Sequence, residues 1–344
     1  MRMLKIFQAF LAFAIICESC KASVTHDVPL HTPDKEENQV EVKYPDPGTP
    51  KVKTLLVDGF FTETEIKPGI TLYSAEMKEE PVTKAHQTVF VLEVDLNNED
   101  YKVDFYHGKS DTTSSIAMKQ NAIAAINACY ELEAVYCKTD GVVHGTCTLD
   151  PDHLRFWKHE AAVVGDGDRK IGIVHGAKGA ADHRDGGLQA LEVYKNLKEP
   201  DIFASAPMLI DDYDPVGASY VPASYTSSAL SKLDGEDWRR HQGVRHPRVA
   251  VALTDDNDLL MVVVDGRFSG KAEGMSAKEL TNFLVKYFNP RWAINMDGGG
   301  SSTMYIDGHG DPVNHVLNYP ADNKKWDHYG QRKRPSLFLV KYAD

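Results

Sequence analysis

The apolar and polar positions divide the chain into three stretches. Ile6 to Ile16 is apolar apart from Gln8 and follows the basic residues Arg2 and Lys5. That run is too short to span a bilayer and fits the core of an export signal, which would occupy residues 1–19. Residues 20–51 are polar, charged and rich in proline (Pro29, Pro33, Pro45, Pro47, Pro50), the composition of an extended linker. From residue 52 to 344 the pattern becomes that of a packed domain, with short apolar runs of strand length separated by polar breaks.

Lys53–Asp58, Ile70–Met77, Thr88–Leu96 and Tyr101–Tyr106 are rich in Val, Leu, Phe, Tyr and Thr and predict strands. Ser114 to Ala122 predicts a helix, and Ile123 to Ala128 a buried strand. Between 150 and 245 the pattern is weaker: Lys170–His175 and Ile202–Ile210 predict strands, and the Gly-rich segments around them predict long loops. Arg248–Thr254 and Leu259–Val264 flank the turn Asp255-Asp256-Asn257-Asp258 and predict a hairpin. In Ser276 to Phe288, Leu280, Phe283, Leu284, Tyr287 and Phe288 recur at helical spacing behind a Ser276/Glu279 capping box, and Pro290 ends the run. Trp292–Met296, Thr303–Ile306 and Ser336–Tyr342 predict the closing strands. Strands outnumber helices, so the expected class is α+β: a mixed β-sheet core with few helices in a single catalytic domain.

Composition narrows the function. The 344 residues carry 38 Lys+Arg against 50 Asp+Glu, a formal charge of −12. Such a chain lacks the broad positive field of a general nucleic-acid binder, and phosphate recognition would fall to a few local arginines. Cys17-Glu18-Ser19-Cys20 after the apolar run resembles a lipoprotein cleavage site, with Cys20 as lipid carrier. The expected address is therefore exported, periplasmic or cell-surface, with the membrane contacted only through that anchor. Of the remaining thiols, Cys137 and Cys147 would close a short loop as a disulfide in an oxidising compartment, leaving Cys129 unpaired; three buried free thiols are the alternative.

The densest chemistry lies at Asn295-Met296-Asp297-Gly298-Gly299-Gly300-Ser301-Ser302, where a strand delivers a carboxylate to a glycine bend. Such a bend can expose backbone N–H groups to an anion, and the hydroxyls of Ser301 and Ser302 can add donors. Asp265-Gly266-Arg267 ends another apolar strand in the same manner, and Arg245-His246-Pro247-Arg248 opens the strand before it. Arginine binds phosphate in a bidentate manner, so Arg245, Arg248 and Arg267 are candidate clamps. Asn127, at the mouth of a buried strand, could bond a sugar hydroxyl or tie down a loop. Asp182-His183-Arg184-Asp185 is the one local group that looks like an acid/base or metal cluster, and a mixed-charge loop is the simpler explanation.

These pieces, in this order, resemble the phosphodiester glycosidases, the bacterial relatives of N-acetylglucosamine-1-phosphodiester α-N-acetylglucosaminidase. The matching residues are His246–Arg248, Asp265–Arg267, Gly274–Leu280, Ala293–Thr303 with its DGGGSST, and the Arg334-Pro335 pair. Ala125–Ala128 matches upstream, and Ala206–Leu209 more weakly. The resemblance implies hydrolysis of the sugar C1–O bond of a sugar-1-phosphodiester, giving free sugar and a phosphomonoester. It implies a carboxylate on the sugar side, Asp297 or Asp265, with Glu131 as a second acid. The phosphate would be held by Arg245, Arg248, Arg267 and Gly298, Gly299, Gly300, Ser301 and Ser302, and the sugar by Asn127 and Asn295. No cofactor is expected beyond a divalent cation that the two aspartates could hold, and no protein partner. A metal-dependent phosphodiesterase cutting P–O and a non-catalytic glycan-binding lipoprotein are the rival expectations.

Overall fold

The computed structural model describes residues 42–45 and 60–343. The expected signal, lipid carrier, most of the linker and the strand at Lys53–Asp58 lie outside the described residues. The class is α+β, and the pairings among the named strands are antiparallel.

A seven-stranded sheet runs in the order Thr62–Lys67, Ile70–Met77, Gln87–Asp95, Asp258–Val264, Arg248–Leu253, Trp292–Asn295, Met208–Ile210. Its centre is buried on both faces, which the period-two geometry of a strand makes legible residue by residue. Val249, Val251 and Leu253 face one core while Ala250 and Ala252, between them, face another. The alanine face lies beneath the helix Ala277–Tyr287, whose Leu280, Phe283, Leu284 and Tyr287 form the predicted stripe. The capping box forms as expected: Ser276 Oγ accepts from Glu279 N, and Glu279 Oε2 accepts from Ser276 N at 2.9 Å.

The valine face shares the larger core with two further sheets. One has the order Val142–Thr146, Tyr136–Thr139, Asp201–Ser205, Ala161–Gly165, Ile171–Val174. The other has the order Met304–Ile306, Ala124–Asn127, Arg334–Tyr342, Tyr101–Asp111. The final strand thus pairs both with Tyr101–Asp111 and with Ala124–Asn127.

Three expectations are corrected. Ile202–Ile210 is two strands, Asp201–Ser205 and Met208–Ile210, in different sheets, because the chain turns at the cis Ala206-Pro207 bond. The Asp182-His183-Arg184-Asp185 group is the start of a helix, His183–Asn196. Asp182 is its N-cap, accepting from the N–H groups of Arg184 and Asp185 at 2.9 Å. Gly186 and Gly187 lower helix propensity there, but they pack closely: a Cβ on Gly187 would come within 2.5 Å of Phe156. Finally, Cys137 and Cys147 do not pair; Cys129, Cys137 and Cys147 are free thiols, and it is Cys129 that lies in hydrogen-bond contact with Cys137.

Candidate active site

Three neighbouring strands bring the sequence motifs to one sheet edge. Arg248 pairs with Val264, and Ala250 pairs with Asn295. The end of Asp258–Val264, the start of Arg248–Leu253 and the end of Trp292–Asn295 therefore coincide, and Asp265, Pro247 and Asp297 are neighbours. The approach is tight. A Cβ on Gly298 would come within 2.6 Å of the Pro247 carbonyl oxygen, and one on Gly266 within 2.6 Å of the Pro247 nitrogen. Gly299 adopts φ +65° and its N–H donates to Pro247 O at 2.8 Å.

Asn127 fixes the bend from the other side. Its Nδ2 donates to Asp297 O (2.7 Å) and its Oδ1 accepts from Thr303 N (3.0 Å), so one buried side chain clamps both ends of residues 297–303. Its amide serves the loop, leaving no polar atom of Asn127 turned to a ligand. Asn295 is likewise enclosed: its Nδ2 donates to Ala206 O, Met296 O and Tyr130 Oη, while its Oδ1 is buried without a donor.

The two aspartates are both buried, and burial pushes both pKa values up. Asp265 reaches about 7; Asn318 Nδ2 (2.8 Å) and Tyr319 N (3.0 Å) donate to it and oppose the rise. Asn318 also donates to Ser302 O and accepts from Met304 N, so Asp265 is joined to the bend through neutral groups. Asp297 rises to about 6, opposed by the nearby Arg334 and by a hydrogen bond from Ser301. Arg334 Nε stands 2.6 Å from Asp297 Oδ2, yet its N–H is aimed at Ser301 Oγ (2.8 Å). Asp297 Oδ2 is left buried with no hydrogen-bond donor directed at it, as is Ser302 Oγ.

Charges of both signs stand near this carboxylate: Arg334 and Lys158 favour its charged form, and Glu131 opposes it. Lys158 is almost fully buried, its Nζ between Glu131 (3.0 Å) and Glu236 (2.8 Å) and 4.8 Å from the centre of the Tyr130 ring. Arg267, in the left-handed region at φ +68°, lies against Gly299: a Cβ there would come within 3.0 Å of its Nη2. Nearby, burial together with the charges of Arg248, Arg267 and Arg240 pushes the pKa of His246 down to about 3. Burial and the cations Arg248, Lys158 and Arg267 act alike on His241. A protein of net charge −12 thus keeps a group of cations at this edge.

Several expected roles do not fit the geometry. Arg248 is buried and donates to Met275 O, Gln242 Oε1, His241 O and Val244 O, so its guanidinium is a structural tie. Arg245 is held by Glu273, Glu279 and the Thr83 carbonyl. Neither has a fork to offer a phosphate. The N–H groups of Gly299, Ser301 and Ser302 are taken by the carbonyls of Pro247, Gly298 and Gly299, so the bend offers fewer free amides than expected. Burial raises the Glu131 carboxyl, but Lys158 and Arg334 outweigh it and hold the group low, as a carboxylate rather than an acid. Arg334 and Lys158 complete the cluster instead. Arg334 stood out in the sequence as part of an Arg-Pro pair; Lys158 and Asn318 carried no signal. Among the described residues no group of three or more His, Cys, Asp or Glu is placed to hold a metal ion, and no helix is long and apolar enough to cross a membrane.

The fold resembles the zebrafish N-acetylglucosamine-1-phosphodiester alpha-N-acetylglucosaminidase catalytic domain auto-inhibited by its pro-peptide. The TM-score is 0.52 at 15% identity, covering 87% of this chain and 86% of that one. It also resembles a hypothetical protein from Synechocystis, with TM-score 0.52 and 12% identity over 83% of this chain and 64% of that one. No curated protein matches the sequence. The family model for phosphodiester glycosidase matches residues 120–341, which contain Asn127, both aspartates, the glycine bend and Arg334. On that match, this chain belongs to the phosphodiester glycosidase family.

Proposed function

We propose that the protein hydrolyses the sugar C1–O bond of a sugar-1-phosphodiester, an N-acetylglucosamine-1-phosphodiester or a close analogue, and that Asp297 is its sugar-side carboxylate. The observation that carries this is the state of Asp297: a buried carboxylate, raised by burial to about 6, beside the Arg334 guanidinium and with no hydrogen bond directed at Oδ2. Near neutral pH it is ionised yet basic enough to accept a proton, which is the balance a general base needs.

In this reaction water attacks C1 while its proton passes to Asp297. The C1–O bond breaks, and its electron pair leaves on the phosphate oxygen, completing a phosphomonoester and a free sugar. The leaving group is already anionic and needs charge stabilisation more than protonation. Arg267, which makes no ion pair among the described residues although the Asp322 charge acts on it, and Arg334 are the guanidinium groups that would provide it. Asp265, tied through Asn318 to Ser302, sets the bend in place. The protein acts in this reading as an exported enzyme held at the membrane by Cys20.

The test is hydrolysis of UDP-N-acetylglucosamine and a methyl N-acetylglucosamine-1-phosphate in ¹⁸O-water. Label in the free sugar with unlabelled phosphomonoester supports C1–O cleavage. Label in the phosphate gives the reaction to a P–O-cutting phosphodiesterase, and saturable binding without product gives it to a glycan-binding protein.

A further inference from the structure

The loop that joins Met304–Ile306 to Arg334–Tyr342 returns onto the glycine bend at both of its ends. Asn318 donates to Ser302 O and accepts from Met304 N, and Arg332 N donates to Gly300 O at 3.3 Å. Two guanidinium groups thereby lie against the bend. A Cβ on Gly300 would come within 2.7 Å of Arg332 Nη2, and one on Gly299 within 3.0 Å of Arg267 Nη2. Between its ends the loop carries Trp326, stacked on Tyr319 with ring centres 3.8 Å apart and met edge-on by Phe268 at 5.0 Å. Lys271 Nζ lies 5.1 Å from the centre of the indole. Rings from two separate segments of the chain thus place Lys271 on the rim that holds Arg267 and Arg332.

These cations are short of counter-charge. Asp322 is paired with Arg332, Nε to Oδ1 3.0 Å, and its charge also reaches Arg267, so one carboxylate faces two guanidinium groups. Burial, and then the Arg332 charge, work against the charged form of Arg267, and Asp322 supports it. Arg267 and Lys271 are exposed and make no ion pair among the described residues, and the same holds for Lys324 and Lys325 in the loop. The other carboxylates in reach are Asp327, which accepts from Asn323 and feels the Lys325 charge, and Glu76, whose charge acts on Tyr319. In a protein of net charge −12, which repels polyanions at long range, this local excess of accessible cations matches phosphate. Arg267 and Arg334 serve the scissile phosphate in the reaction above, which leaves Arg332 and Lys271 without a task in it.

We propose that Arg332 and Lys271 form a subsite for a second phosphate, one sugar further along the leaving group, so that the substrate class is a chain of phosphodiester-linked sugars rather than an isolated sugar-1-phosphodiester. The chain as substrate rests on the function proposed above; the preference of this rim for a second phosphate is measurable without turnover. No bond is made or broken at the subsite. The second phosphate is held there by charge-assisted hydrogen bonds, and the gain appears as affinity.

A pair of synthetic ligands isolates that second charge. Both have N-acetylglucosamine joined through its C1 phosphate to another N-acetylglucosamine, whose own C1 ends either in a methyl phosphate or in a methyl glycoside. In calorimetric titration of Asp297→Asn protein, which lacks the proposed base, the methyl phosphate form is expected to bind about tenfold more tightly in dilute buffer and to lose most of that advantage in about 0.5 M NaCl. Lys271→Gln and Arg332→Gln should each cut the advantage to about threefold or less, with the methyl glycoside form changed less than about twofold. With Asp297 in place, the same variants should raise KM for the methyl phosphate form about threefold or more and leave kcat within about twofold. Thermal unfolding checks each fold, and because Lys271 is exposed, Lys271→Gln decides the matter should Arg332→Gln unfold. Equal binding of the two forms, or an advantage that neither folded variant reduces, overturns the subsite. Selective binding without hydrolysis, or with ¹⁸O entering the phosphate, leaves the subsite standing and overturns only the proposed function.

Discussion

The two strands that flank Arg248–Leu253 each lead into a buried aspartate, Asp265 and Asp297, and their neighbourhoods differ. Asp265 accepts from neutral donors, Asn318 at one oxygen and the Tyr319 amide shared between both. Asp297 forms an ion pair with the Arg334 guanidinium, 2.6 Å from its Oδ2, while the Nε–H points to Ser301 and no hydrogen bond is directed at that oxygen. Burial alone would raise both alike. The difference lies in what is left over: the first carboxylate is consumed by holding loops together, whereas the second keeps chemical capacity. For a buried acid, the unspent lone pairs say more about role than the depth of burial does.

That contrast can be broken in four ways. The largest effect is expected from Asp297→Asn, which removes the proton acceptor and should lower kcat about 10³-fold on a sugar-1-phosphodiester with a small change in Tm. A variant that retained full rate would shift the base assignment to Asp265. Next is Arg334→Gln, expected to cost about 10²-fold. It also moves the pH profile. The parent rate should rise with pH as Asp297 ionises through about 6; without the cation favouring the charged form, that limb moves upward. An unmoved limb would detach Arg334 from Asp297.

Asp265→Asn comes third, with a loss of about tenfold in kcat through the displaced bend, and a clearer signature in stability. The folded pKa of Asp265, about 7, lies above its unfolded value. Its contribution to stability is therefore greatest below about pH 4 and is lost as pH rises through 7. Asparagine does not titrate, so urea midpoints measured between pH 4.5 and 7.5 should fall less steeply in the variant. Smallest is Arg245→Gln: because Glu273 and Glu279 already hold this guanidinium, KM should change less than about twofold. A large rise in KM would restore Arg245 as a phosphate clamp.

Much of this frame was readable from the sequence. The hairpin at 248–264 and the capped helix declare themselves through two continuous apolar runs about a polar turn and a 3.6-residue stripe, both local properties. DGGGSST and DGR converge because register between adjacent strands is set by the same hydrophobic pattern. What was not readable concerns direction. Sequence identifies Arg248 and Asn127 as polar residues near the motif, but the inward path of their side chains depends on Met275, Gln242 and Thr303, far along the chain or in another element. The helix at 183–196 was hidden because Gly186 and Gly187 read as loop residues, and only their packing against Phe156 and Ala177 explains them. Lys158 belongs to a short helical turn, Phe156–His159, with no periodicity to mark it.

The closing strand, Arg334–Tyr342, has a bearing on how the protein is made. It supplies the cation beside Asp297 and is the partner that lies between Tyr101–Asp111 and Ala124–Asn127. A nascent chain that has not yet reached residue 334 has Asp297 and Asn127 but neither the charge nor the strand that seats them. The charged cluster can therefore assemble only after the ribosome has passed the last of these residues, and a nonsense codon just upstream of 334 would yield a long polypeptide, nearly full in mass, without the Arg334–Asp297 pair.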